Sequence, residues 1–181
     1  MKRITCIFFI FLLFLMHLNA ADPVEMVIQL GHNHRITSLV FSPDGKYIYS
    51  GSLDSTIKLW DMRTGKEVRT FKGFKGWTTA LAVSPDGETV YGGDKEIICW
   101  DTKTGVIQKR IQPFYNSVSA IDITKDGKYL AAGSFGSELM RKLSKSTIKI
   151  WDVRTWELVK EFPFYPYEVY DLSFSSDGKA L

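Results

Sequence analysis

"GHNHRITSLVFSPDGKYIYSGSLDSTIKLWD", Gly31 to Asp61, is the stretch whose reading decides the fold. Leu39 and Phe41 stand two residues apart, the mark of a strand with one buried face. Ser42-Pro43-Asp44-Gly45 then closes a hairpin: Pro presets φ at the second turn position, and Gly tolerates a left-handed exit. "KYIYSG" supplies a second strand and "TIKLW" a third, which ends at Trp60-Asp61. A turn carried by Thr64-Gly65 leads into a fourth run, "KEVRTF".

The same order of signals recurs along the chain. Asp-Gly turns follow Phe41, Val83, Ile123 and Phe174, and Trp-Asp pairs stand at Trp60-Asp61, Trp100-Asp101 and Trp151-Asp152. The two markers advance together, by about 40 and then about 50 residues. The paired apolar positions recur as well: Leu81 and Val83, Ile121 and Ile123, Leu172 and Phe174. Four antiparallel strands per repeat of this length make the blade of a β-propeller, so the predicted fold class is all-β.

Gly31 to Asp61 resembles a near-consensus WD repeat, and the resemblance extends from Val24 to Leu181. It implies a hydrogen-bonded structural tetrad in the first blade, made of His32, Ser50, Asp54 and Trp60. A buried indole and imidazole need partners, and a hydroxyl and a carboxylate supply them. The second unit keeps Asp94 and Trp100 but has Phe74 at the His position and glycines at the Ser position. The third keeps Trp151 and lacks the His. Both are expected to rely on apolar packing. The blades fall at about 31–71, 72–111 and 112–162, with a partial one at 163–181, and 24–30 reads as the outer strand of a closing blade. Propellers close with typically 4–8 blades. Three and a part therefore imply a piece of a longer protein, or self-association head to tail to complete the ring.

Residues 1–21 differ from the rest. "MKR" is a short basic start, "ITCIFFIFLLFLM" is apolar, and "HLNAAD" adds small residues: the form of a signal peptide. The body, 22–181, is accordingly expected to be exported, periplasmic or secreted, with membrane contact only if the leader stays uncleaved. Cys99 is then the one cysteine of the mature part, which excludes an internal disulfide and suits a bacterial periplasm or surface.

Apolar residues make up 45% and charged ones 24%, the balance of a globular chain. Without Lys2 and Arg3, 21 basic side chains face 20 acidic ones, so bulk charge does not favour nucleic acid. Nothing in the sequence names an active site. His34 reads as a surface turn residue and Cys99 as a buried small hydrophobe on its strand. The Asp-Gly pairs lack the acidic spacing of a calcium loop, and no catalytic residue, metal site or cofactor is expected.

One segment breaks the repeat. Five positions separate Gly51 from Thr56, whereas fourteen separate Gly133 from Thr147, through "SFGSELMRKLSKS". The insert carries Leu139, Met140, Arg141, Lys142 and Lys145, an apolar and basic set expected to contact an acidic or apolar partner. A second cluster is aromatic, "QPFYNSV" and "FPFYPYEVY", at the places where Gly-His stands in the first unit. Packing between blades is the favoured reading there over a recognition surface. The resemblance implies a non-catalytic scaffold that binds proteins, and the leader adds the expectation that it is exported. The alternative is the leading propeller portion of a larger exported enzyme.

Overall fold

The computed structural model describes residues 31–135, 146–165 and 169–181. The leader 1–21, the strand expected at 24–30, and the insert residues Leu139, Met140, Arg141, Lys142 and Lys145 lie outside the described residues.

Alternation and turn chemistry produce twelve strands among the described residues, arranged as three sheets of four and no helix. Sheet I comprises β1 (Ile36–Phe41), β2 (Tyr47–Ser52), β3 (Thr56–Asp61) and β4 (Glu67–Lys72). Sheet II comprises β5 (Ala80–Val83), β6 (Thr89–Gly93), β7 (Ile97–Asp101) and β8 (Ile107–Ile111). Sheet III comprises β9 (Val118–Ile123), β10 (Tyr129–Ser134), β11 (Ser146–Asp152) and β12 (Leu158–Tyr165). Each sheet is antiparallel and ordered as the chain runs. From Val169 onward the chain turns at Ser175–Gly178 but forms no strand among the described residues.

The four Asp-Gly turns are alike. Ser42, Ser84, Thr124 and Ser175 each donate a hydroxyl to the Asp two residues on. The same carboxylate oxygen accepts the next N–H but one, from Lys46, Glu88, Lys128 and Lys179. Asp61 and Asp101, the partners of Trp in the sequence, do parallel work at the other turn, each accepting the N–H and hydroxyl of the Thr three residues on. Gly65 and Gly105 exit these turns at φ 68° and 75°. Sheet III places Trp156 there instead, at φ 60°, a region that costs a side-chain-bearing residue about 1 kcal/mol or more.

Two apolar clusters hold the sheets side by side. The first lies between sheets I and II and takes Leu81 and Val83 of β5 into Tyr49, Ile57, Phe71 and Trp100. The second lies between sheets II and III and takes Ile121 of β9 into Ala80, Ala82, Tyr91 and Cys99. The glycine on each second strand sets the spacing. A Cβ added at Gly51 would stand 2.8 Å from Thr78, and one at Gly93 would stand 2.7 Å from Val118. Between these elements Thr37 donates Oγ1 to Gly51 O at 3.0 Å and to Thr78 O at 2.6 Å, and Thr79 repeats the bridge to Gly93 O and Val118 O.

The leading face of sheet I has no such neighbour among the described residues. Leu39 and Phe41 are 63% and 60% exposed, while their equivalents Leu81 and Val83 are 7% and 8% exposed. At the other end Val169 and Leu172 lie over Gly133, and Phe174 N donates to Asp122 Oδ2 at 2.7 Å. The arc is an open, partial ring.

Gly93→Ala is expected to push β9 off sheet II and to cost about 1–3 kcal/mol in urea unfolding. Gly31→Ala, whose added Cβ meets nothing within 4 Å, should change stability by less than about 0.5 kcal/mol.

Candidate functional site

All sheets share one end where the first and third strands begin and the second and fourth strands finish. In sheet I the expected tetrad residues come together there. Trp60 Nε1–H donates to Ser50 Oγ at 2.8 Å, and Ser50 Oγ lies 2.7 Å from His32 Nε2. His32 Nδ1 lies 2.9 Å from Asp54 Oδ2. One proton assignment satisfies every group: indole to hydroxyl, hydroxyl to Nε2, and Nδ1–H to the carboxylate. The His32 and Trp60 rings meet edge to face at 6.2 Å.

Register explains the assembly. Ser50 pairs with both Leu39 and Lys58 on neighbouring strands, which centres its hydroxyl in the sheet. Asp54 sits in the β2–β3 turn, whose Ser55 takes φ 68°, and it bends back towards His32. Sequence reasoning missed Thr56, which donates Oγ1 to Asp54 Oδ1 at 2.6 Å, and the N–H of Asn33, which donates to Oδ2 at 3.2 Å. A Thr two residues after the turn Asp was the available signal. Burial pushes the Asp54 carboxyl up, but the Thr56 hydroxyl, His32 and the Asn33 N–H outweigh it and hold the carboxyl down to about 2.

Sheet II replaces this polar chain with aromatics. Phe74, at the His position, meets Trp100 edge to face at 5.2 Å. Gly92, at the Ser position, leaves room for it: an added Cβ would stand 2.9 Å from the Phe74 ring. The Trp100 indole turns to Lys72 O instead, at 3.2 Å. Asp94 remains, 6% exposed, and its carboxyl is raised by burial against the lesser pull of the Lys95 and Gly76 N–H groups. Sheet III has Phe114 against Trp151 at 6.4 Å and Ala132 at the Ser position.

The aromatic cluster divides. Phe114 is buried, the packing expected of it, whereas Tyr115 beside it is 85% exposed. His34 is exposed in its turn and accepts the Arg35 N–H. Cys99 is buried, and burial pushes its thiol up to about 12, a poor nucleophile. Among the described residues no group of three His, Cys, Asp or Glu side chains comes together to hold a metal. At the opposite end, Val40, Leu81, Val83, Ile123 and Asp122 line an open groove of about 320 Å³. Its carboxylate is already engaged by Phe174 N.

The family described as "WD domain, G-beta repeat" matches residues 25–61, 65–101 and 108–152. The chain is 31% identical over 134 residues to a protein named pre-mRNA-splicing factor cwf17 of Schizosaccharomyces pombe, covering 72% of this chain and 37% of that protein. It is 31% identical over 120 residues to a guanine nucleotide-binding protein subunit beta of Arabidopsis thaliana, covering 60% and 32%. A solved structure titled "Structure of U3-55K" superposes with a TM-score of 0.69 at 23% identity, covering 78% of this chain and 43% of that one. The chain thus spans about a third of the length of these curated relatives.

The relatives correct the expectation of export. A splicing factor and a guanine nucleotide-binding protein subunit are named for work inside the cell, so a periplasmic or secreted location is withdrawn. Their yeast and plant sources lend no support to a bacterial origin either. A basic start followed by an apolar run meets the composition of a leader without identifying a compartment. That composition alone misled the reading.

The Asp54 bonds predict a defined acid response. A carboxyl held at about 2 when folded, against about 3.9 unfolded, contributes stability that is complete above about pH 4 and disappears as pH falls through about 2. Urea unfolding should therefore show wild type more stable than Asp54→Asn at neutral pH by about 1–3 kcal/mol. That gap should narrow between about pH 4 and pH 2.

Proposed function

This chain belongs to the WD-repeat family, and we propose that it is a non-catalytic scaffold that presents the loop end of its propeller blades to protein partners. WD-repeat proteins generally assemble other proteins rather than catalyse. One observation supports the reading most directly: the loops at that end are bonded from sheet to sheet. Thr78 N donates to Ser52 O between sheets I and II, and Val118 N to Asp94 O between sheets II and III, at 3.1 and 2.7 Å, while Leu53 N to Arg35 O at 3.0 Å ties the two loops of sheet I itself. Loops tied in this way form a continuous, pre-ordered surface, which lowers the entropy lost on docking.

Within this reading His32, Ser50, Asp54 and Trp60 are a structural tetrad that fastens the loops of the first blade. The blades run at about 31–71, 72–111 and 112–162, followed by a partial one. Leu139, Met140, Arg141, Lys142 and Lys145 form a partner-contacting insert. Their support is positional, since the insert joins β10 to β11 at the loop end. The uncovered leading face of sheet I is where a further blade sits, from the same chain or from a second copy, in the manner in which β5 covers sheet I. The reading as the leading part of an exported enzyme draws no support from the relatives, whose names also contradict the exported location.

The test is affinity capture of the tagged full chain from cells. Replacing Met140, Arg141 and Lys142 by Ser should deplete captured partners at least about tenfold, with the unfolding midpoint unchanged. An unaltered set of partners on that variant would remove the insert from the interface.

A further inference from the structure

The loop end is uneven in charge. The three carboxylates of the β2–β3 and β6–β7 turns, Asp54, Asp94 and Glu96, are each engaged. Asp54 is held by His32 and Thr56, and Glu96 pairs with Arg110 at 2.6 Å. Asp94 is buried against Gly76. Arg35, Lys75 and Lys95 are exposed, and none of them forms an ion pair among the described residues.

An aromatic side chain stands among these cations. Trp77 is 63% exposed, whereas Trp100 and Trp151 are 0% and 6% exposed. The backbone shows that these residues are neighbours. Arg35 O takes the Leu53 N–H, and the adjoining Ser52 O takes the N–H of Thr78, next to Trp77. On the other side Gly76 abuts the Asp94 carboxylate, and Lys95 follows it. Asp94 O in turn takes the Val118 N–H, three residues after the exposed Tyr115.

We propose that this surface docks an acidic peptide segment of a partner protein, with its carboxylates on Arg35, Lys75 and Lys95 and an apolar side chain covering Trp77. The inference rests on the scaffold reading and names its partner chemistry. A purely apolar partner would strip water from three cations without repaying them, and a basic one would be repelled. Three cations spread over loops of a nearly neutral body offer few phosphate contacts, so single-stranded nucleic acid is the weaker occupant. An exposed indole suits an apolar side chain because it buries a large rigid area at low entropic cost.

The experiment measures fluorescence anisotropy on the full chain with three labelled probes. These are a short Asp/Glu-rich peptide containing one Leu and one Phe, the same peptide with Lys in place of its acids, and an oligouridylate of equal length. The acidic peptide should bind best, and its affinity should fall as salt rises. Trp77→Ser, and Lys75→Glu with Lys95→Glu, should each weaken it by at least about tenfold. Lys66→Glu, at the opposite end, should leave it unchanged. All of these positions are exposed, so thermal midpoints should hold. No binding, equal binding of the basic peptide, tighter binding of oligouridylate, or variants of unchanged affinity would each overturn the proposal. Cellular capture separates the two readings. Partners retained by the chain when the acidic peptide fails would leave the scaffold standing without this chemistry, and loss of both would remove both.

Discussion

The close approach of each inner strand to the sheet before it is the contact on which the other features depend. It requires a glycine on the second strand and two side chains that press on it from the incoming strand or the residues just before that strand. Gly51 receives Thr78 and Leu81, and Gly93 receives Val118 and Ile121. With this spacing fixed, the bridging hydroxyls of Thr37 and Thr79 reach carbonyls on two sheets, and the loops above can bond from blade to blade. The hydrogen bonds that join the loops are thus a consequence of packing several residues below them.

The blades fill their upper ends by two chemistries. Sheet I uses a chain of polar groups in which each donor has an acceptor, at the cost of burying a carboxylate. Sheet II substitutes a ring for the imidazole and removes the side chain that would have met it, so Phe74 and Gly92 belong together. Asp94 is left without an imidazole and is pushed towards its neutral form by burial first. Sheet I depends on directional bonds that acid can break, while sheet II depends on ring contacts.

Much of the fold was legible because two markers, Asp-Gly and Trp-Asp, each carry a turn with its own chemistry. Ser-x-Asp-Gly reads directly as hydroxyl to carboxylate to N–H, and alternation assigns the buried face of β5 and β9. The His, Ser, Asp and Trp of the first blade were also legible by position. Thr56 was not, because a Thr in a strand is common and its bond to Asp54 depends on how the β2–β3 turn folds back. Trp77 was passed over because aromatics in a repeat usually pack, as Phe74 and Phe114 do. Exposure depends on which way the loop turns, and periodicity does not encode that. Compartment was misread from an apolar run whose composition does not identify a destination.

The most direct measurement compares one substitution at two equivalent positions of the full chain, Leu81→Ala and Leu39→Ala, by urea unfolding. Leu81 is enclosed between sheets, and Leu39 occupies the same place on a face that no described residue covers. Sheet-on-sheet docking predicts a loss of about 2–5 kcal/mol at Leu81 and less than about 1 kcal/mol at Leu39 in the monomer. A loss of less than about 1 kcal/mol at Leu81 would contradict it, because β5 would then not be seated against the sheet before it.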